Sequence, residues 1–391
     1  MAVVILAYLT AALVVAADPR LVAMPRWVSL HLMFLGAASN AIVVYSAHFS
    51  ETLLHARPAG AWWGIGQLVG LNVGVLGVLV GVDGRFPTLV VAGAVLVAAA
   101  VLAGTVRLVR LIRHSLAGRL RVTVWFYVAA AVFLVAGAAS GAVLGTGAAG
   151  LGHPISEHDA QFLVAFHAHV NVFGWVGLTV LGTLVMLWPA ALHTRMPTDA
   201  PRLARWVLAL CVAGLTLAAT TLLVGHPAVA AVGMAVYATG VLLFLRPSVR
   251  AARVRRPHDV ASWSLAAAIG WLVAALVWDV TALATAGAHV DRVADRLAPL
   301  MAVGVVAQVL VGALSFLLPL LLGGGPAAGK RMSIILNRAG TARLFLTNLG
   351  ALATVLPMPG PVHLAAQVAV AVGLGSFLPV AVAAMTVRRA P

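Results

Sequence analysis

FHAHVNVFGWVGLTVLGTLVMLWP, residues 166–189, is apolar and long enough for a membrane helix, yet it opens with two histidines one residue apart. About 20 apolar residues span a bilayer, and this stretch has many counterparts. Such runs centre near residues 10, 39, 71, 97, 134, 175, 214, 236, 272, 309, 349 and 373, which predicts twelve transmembrane helices. Composition points the same way. Of the 391 residues 62% are hydrophobic and 9% charged, and the mean hydropathy is +1.06, so most of the surface is not made for water. A membrane barrel would show short alternating segments, whereas these runs are continuous and rich in Ala, Leu, Val and Gly. The expected fold class is an all-α polytopic membrane protein forming a single transmembrane domain over residues 1–391.

The net charge of +15 has a topological order. "RLVRLIRHSLAGRLR", "HTRMPTDAPRLAR", "RPSVRAARVRRPHD" and "GKRMSIILNRAGTAR" follow spans 4, 6, 8 and 10. Of the 25 Lys and Arg, 20 fall on that side, while Arg20, Arg26, Arg85, Arg292 and Arg296 make up the 5 on the other. The positive-inside rule then places the chain in the cytoplasmic membrane as a multi-pass protein with both termini cytoplasmic. The lipid bilayer, with its anionic headgroups, is the expected partner. Nucleic acid is not expected, since no soluble basic domain is present to make phosphate contacts. The only cysteine, Cys211, lies inside span 7, which rules out an intrachain disulfide. The first span lacks a charged flank and is kept as a helix rather than a signal peptide.

Three segments align without gaps: "HLMFLGAASNAIVVYSAHFSE" from His31, "HVNVFGWVGLTVLGTLVMLWP" from His169 and "PLMAVGVVAQVLVGALSFLLP" from Pro299. Gly36, Gly174 and Gly304 share the sixth position, Pro189 and Pro319 the last, and Asn40 and Gln308 the tenth. They lie on spans 2, 6 and 10, which divides the chain into three pseudo-repeated units of four helices, roughly 1–121, 122–259 and 260–391. Common twelve-helix transporters divide differently, into two halves with nested repeats of three.

By this topology His31, His153, His158, His167, His169, His226, His289 and His363 are on the outer side, and His48, His55, His114, His193 and His258 at the inner ends. Two residues of helix turn by about 200°, so His167 and His169 leave opposite sides and serve two neighbouring sites instead of chelating one ion. A haem iron takes an axial imidazole from each of two helices, which suits His31 facing one histidine of span 6. Ionisable groups inside spans are uncommon and usually functional, and Asp279 is the one acid deep in a span, either a proton-relay neighbour or a hydrogen-bonded structural group. Gly36, Gly174, Gly177 and Gly182 allow two readings: close helix packing or room for a flat macrocycle.

His167 to Pro189, His-x-His followed by eighteen residues and Trp-Pro, resembles the tenth helix of subunit I of the haem-copper oxidases and nitric oxide reductases. Residues His31, Gly36, His55, Arg57 and Pro58 are similar to a segment of the NnrS family of haem- and copper-containing membrane proteins. The resemblance implies twelve helices in three pseudo-symmetric groups of four, with haem near the outer face. Two departures stand out. The His-x-His helix belongs to the second group of four here and to the third in the oxidases, and the His-His pair and His-Pro-Glu-Val-Tyr segment of the oxidase copper site are absent. The usual oxygen-reducing centre is therefore not expected.

The resulting expectation is a haem-binding membrane protein with one or two b-type haems. It would act in electron transfer or in nitrogen-oxide or oxygen redox chemistry, by itself or as the membrane component of an oxidoreductase. His31 and His169 are the expected axial ligands, with His167 addressing a second haem or a copper ion beside His226, His289 or His363. The resemblance implies a multicopper oxidase or nitrite reductase as electron partner. The alternative is a haem-free transporter or copper-handling permease. Reporter fusions after Arg121, Arg205 and Arg256 are expected to read out in the cytoplasm and fusions near His158 and His289 outside. The reverse pattern would turn every assigned face over.

Overall fold

The computed structural model describes residues 2–115, 120–147, 156–287, 289–322 and 324–387, so His153 lies outside the described residues. The described residues are helical and contain no strand. In chain order the helices are α1 (Ala2–Ala17), α2 (Pro25–Leu53), α3 (Ala61–Asp83), α4 (Pro87–His114), α5 (Arg121–Thr146), α6 (Glu157–Ala191) and α7 (Ala200–Leu223). They continue as α8 (Pro227–Val254), α9 (Val260–Thr285), α10 (Asp291–Leu322), α11 (Pro326–Leu336), α12 (Gly340–Val355) and α13 (Gly360–Thr386). Among the described residues, 10 of these are long and apolar enough to cross a membrane, which makes the chain a multi-pass membrane protein. Helices α1 and α12, expected as spans, have 16 residues each. That is about 24 Å of helix against a hydrocarbon core of about 30 Å. Helix α11 had no counterpart in the expected spans, because its "GKRMS" stretch breaks the apolar run that hydropathy detects.

Local chemistry sets the boundaries. Proline in the first turn opens α2, α4, α7, α8, α11 and α13, where its missing N–H costs no helical hydrogen bond. Asp259 and Ser262 form a reciprocal capping box at α9. Asp83, at the end of α3, accepts from the amides of Ala23 and Met24 at 2.9 and 3.2 Å and ties down the start of α2. Asp199 and Arg250 pair at 2.5 Å between the start of α7 and the end of α8. The guanidinium holds the Asp199 carboxyl below its usual pKa, so this pair contributes at neutral pH and is lost as pH falls through the lowered value.

Three helices form the centre. The most apolar window is 83% buried in α6 and 61% in α2 and α10, against 33% in α3 and α4 and 22% in α13. Each central helix widens into a π-helical stretch, Leu32–Ala38, Val170–Leu178 and Met301–Ala307, a local expansion often found at functional sites. Each stretch contains one of the aligned glycines, and each glycine lies under an aromatic ring of the preceding long helix. A Cβ would come within 2.4 Å of the Tyr8 ring at Gly36, 2.5 Å of Phe133 at Gly174 and 2.7 Å of Trp271 at Gly304. The glycines of the first two reciprocal outer pairs work similarly, Gly74 against Gly93 in α3 and α4 and Gly214 against Gly233 in α7 and α8. In lipid, helices associate through such close approach. Amides add specificity: Asn40 and Asn72 exchange hydrogen bonds of 3.1 and 2.9 Å between α2 and α3, and Gln308 donates to Asn348 at 2.9 Å between α10 and α12.

At Gly214 an added Cβ would lie 2.5 Å from the Gly233 oxygen and 2.5 Å from the Tyr237 nitrogen, and backbone cannot swing aside. Gly214→Ala is expected to destabilise the detergent-solubilised protein by about 1 to 3 kcal/mol. Gly64→Ala, where nothing lies within 4 Å, should gain about 0.5 to 1 kcal/mol from helix propensity. Thermal melting of the two variants checks this, and equal shifts would refute the packing role.

Candidate functional site

The first turns of α2 and the turn of α6 just before its π-helical stretch bring His31 and His167 together. Their ring centres are 6.3 Å apart and their planes lie at 24°. Both rings are anchored through Nδ1, His31 to the Trp27 carbonyl at 2.8 Å and His167 to the Gly137 carbonyl of α5 at 3.0 Å. A carbonyl only accepts, so each Nδ1 carries the proton and each Nε2 presents a lone pair. Neither Nε2 has a hydrogen-bond partner among the described residues. This is the form in which histidine usually ligates a metal, with the far nitrogen fixed by a backbone carbonyl. Both rings are half-buried.

The surroundings hold these rings in place. The Trp27 indole stacks on His31 with centres 4.0 Å apart. Ser140 Oγ lies 3.2 Å from His167 Nδ1, and the Asn171 amide donates to the His167 carbonyl at 2.8 Å. The His167 ring packs directly on Gly141, where a Cβ would stand 2.8 Å from its Cε1. Trp27, Gly137, Ser140, Gly141 and Asn171 were not singled out from the sequence. Their signals were present, since Trp27 and Asn171 are one turn from the histidines they serve, and Gly137, Ser140 and Gly141 form the small-residue run "GAASG".

His169 points elsewhere and is fully buried. Its Nδ1 is 2.7 Å from the Ala165 carbonyl and its Nε2 3.1 Å from Asp279 Oδ1 on α9. Asp279 is equally buried, and its Oδ2 has no partner. Both imidazole nitrogens therefore face acceptors, so the His169–Asp279 pair shares one proton beyond that of neutral imidazole and is neutral as a unit. The expected axial pair of His31 and His169 is thus not brought together. The step of about 200° between His167 and His169 holds, but the structure turns His167 to His31 and commits both nitrogens of His169 to α6 and α9. Of the two readings of Asp279, the geometry is that of a buried, hydrogen-bonded partner.

The remaining histidines are dispersed. His226 is exposed at the N-terminus of α8, His289 is exposed before α10, and His363 is half-buried in the first turns of α13. Among the described residues no three His, Cys, Asp or Glu gather into a group that could hold a metal ion. His55, matched to the NnrS-like segment, sits at the far end of α2 from His31 with φ 51°. Near it, Glu51 pairs with Arg107 of α4 at 2.5 Å and accepts from the Ala59 amide at 3.1 Å, which fixes the loop that follows α2. No protein-family model matches the chain, and no curated protein does.

Removing one member of a buried pair strands the other. Asp279→Ala is expected to destabilise the protein by about 3 to 5 kcal/mol, and the His169→Ala/Asp279→Ala double variant by less than the sum of the single losses. A double-mutant cycle from unfolding in detergent measures this, and strictly additive losses would show that the two do not interact.

Proposed function

We propose that the chain is a haem-binding membrane protein in which His31 of α2 and His167 of α6 are the axial ligands of one b-type haem. Its role is electron transfer or nitrogen-oxide or oxygen redox chemistry. The observation that carries this reading is the 6.3 Å separation of two nearly parallel imidazoles whose Nδ1 atoms are both anchored on backbone carbonyls. Two imidazoles holding one metal from opposite sides, at about 2 Å per metal–nitrogen bond, place their ring centres about 6 Å apart. The donor set of two neutral imidazoles from different helices fits a haem iron.

A haem iron held by two imidazoles would supply reversible one-electron exchange, so nitrogen-oxide or oxygen chemistry would take place at a redox partner that receives the electron. This chain's residues do the positioning. Trp27 and Gly137 set the ring orientations of His31 and His167, Ser140 and Asn171 hold the α6 side, and the surrounding apolar helices exclude water. The resemblance to the haem-copper oxidases and the NnrS family extends the proposal to the architecture, with α1 and α12 as further spans and three groups of four helices. The recurrence of the ring-on-glycine contact at Gly36, Gly174 and Gly304 supports it.

Full-length protein purified from haem-replete cells is expected to give one haem per chain by pyridine haemochrome assay, with a low-spin spectrum. His31→Ala and His167→Ala should each remove that spectrum, and His169→Gln, whose amide can still donate to Asp279, should keep it. Copper bound in place of haem, lost in the same two variants, would keep the ligand pair and change the metal. A folded, colourless and metal-free preparation would sink the reading and favour a haem-free permease.

A further inference from the structure

A cleft of about 1210 Å³ runs along the outside of the bundle between α5 and α7. One end is formed by Arg121, Arg202 and Arg205, and from there the walls are almost wholly apolar, reaching Ala136 on α5 and Thr220 on α7. The fifteen residue steps from Arg121 to Ala136 make a wall of about 22 Å on α5, and the eighteen from Arg202 to Thr220 one of about 27 Å on α7, most of the depth of a hydrocarbon core of about 30 Å. Trp125 lines the arginine end and is 43% exposed, as indoles are at the headgroup level. No carboxylate lines the cleft.

The arginines are available. Arg202 and Arg205 are exposed, share a face of α7 by their spacing, and have no hydrogen bond or ion pair among the described residues. Arg121 donates from Nη2 to the Ser115 carbonyl, while its Nε is buried without a partner. Arg107 and Arg250, by contrast, are matched by carboxylates of a neighbouring helix, Glu51 and Asp199. Here three stand at the mouth of an apolar trough with nothing opposite.

We propose that this cleft is a binding site for one anionic phospholipid, with its phosphate held by Arg121, Arg202 and Arg205 and an acyl chain lying between α5 and α7. Guanidinium forks match phosphate oxygens, and the missing counter-charge selects a headgroup with net negative charge over a zwitterionic one. The apolar wall excludes the simpler occupants: free phosphate would leave it uncovered, and an uncharged hydrocarbon or an apolar helix would leave the three guanidiniums unpaired. The proposal is independent of whether haem binds.

Native mass spectrometry of the full-length protein, delipidated in mild detergent and titrated with phosphatidylglycerol or phosphatidylcholine, tests it. One tightly held phosphatidylglycerol is expected, with clear preference over phosphatidylcholine. Arg202→Ala/Arg205→Ala should weaken binding by about thirtyfold, about fivefold per arginine, whereas Arg202→Lys/Arg205→Lys should retain most of it. Ala209→Phe/Ala213→Phe, which fills the trough and leaves the charges, should also release the lipid. Equal affinity for the two lipids, binding unchanged in the alanine pair, or binding unchanged in the filled trough would each overturn the proposal. Variants are compared only when their melting matches the wild type, and the phenylalanine pair, on exposed positions of α7, keeps the test open if the arginine pair fails to fold.

Discussion

The hydrogen-bonded contact between His169 and Asp279 governs how α6 sits in the bundle. Both side chains are fully buried, at a depth where an unpaired ionisable group costs several kcal/mol. The rotation of α6 about its axis is therefore constrained: His169 must face α9. Once it does, helical geometry sends His167 out on the far side, toward α2 and α5, where it meets His31. One contact on one face of a helix thereby sets what the opposite face presents, and a small change in the register of α6 would disturb both sites together.

That arrangement needs a bundle able to hold α6 tightly without help from water. Lipid tails compete equally with apolar side chains, so leucine-rich faces give little preference for one helix neighbour over another. The specificity comes from shape and from hydrogen bonds. A ring over Gly174 fixes the distance from α5 to α6, and the Tyr237 hydroxyl of α8 donates to the Phe173 carbonyl at 3.0 Å within the π-helical stretch. The widened backbone that exposes a carbonyl to another helix is the same segment that begins one residue after His169. Packing and site are built from the same few residues.

Much of this was legible in the sequence and some was not, for definite reasons. Membrane character and the positions of the long helices follow from hydropathy, because burial in lipid acts on each segment separately. The divergence of His167 and His169 follows from helix geometry alone. The partner of each histidine does not, because it depends on the absolute rotation of α6, which no periodicity reveals when a helix is apolar all round, as Val170 to Trp188 is. Asp279 was visible as the one deep acid, yet its pairing with His169 joins residues 110 positions apart. Hydropathy does not register where a helix stops: the apolar run of α12 continues past Val355 into Leu356, outside the helix, so the 16 residues of α12 could not be read from the sequence.

The two histidines of the opening stretch have the same side chain, the same helix and nearly the same depth, and both are anchored through Nδ1 on a backbone carbonyl. What separates their chemistry is the atom facing Nε2. At His169 it is a carboxylate oxygen, to which Nε2 donates a hydrogen bond, so no lone pair is left on the ring for a metal. At His167 no described residue hydrogen-bonds to Nε2, and the same is true of His31, whose ring centre lies 6.3 Å away. Both rings are half-buried and neither Nε2 is among the buried unpaired side-chain atoms, so neither lone pair is sealed off from a ligand. Rotating either ring to find a partner would break its carbonyl bond, and at His31 the stacked Trp27 as well. Two neutral imidazoles from different helices, each fixed through Nδ1, with ring centres 6.3 Å apart, are therefore the basis for proposing His31 and His167, and not His169, as the ligands.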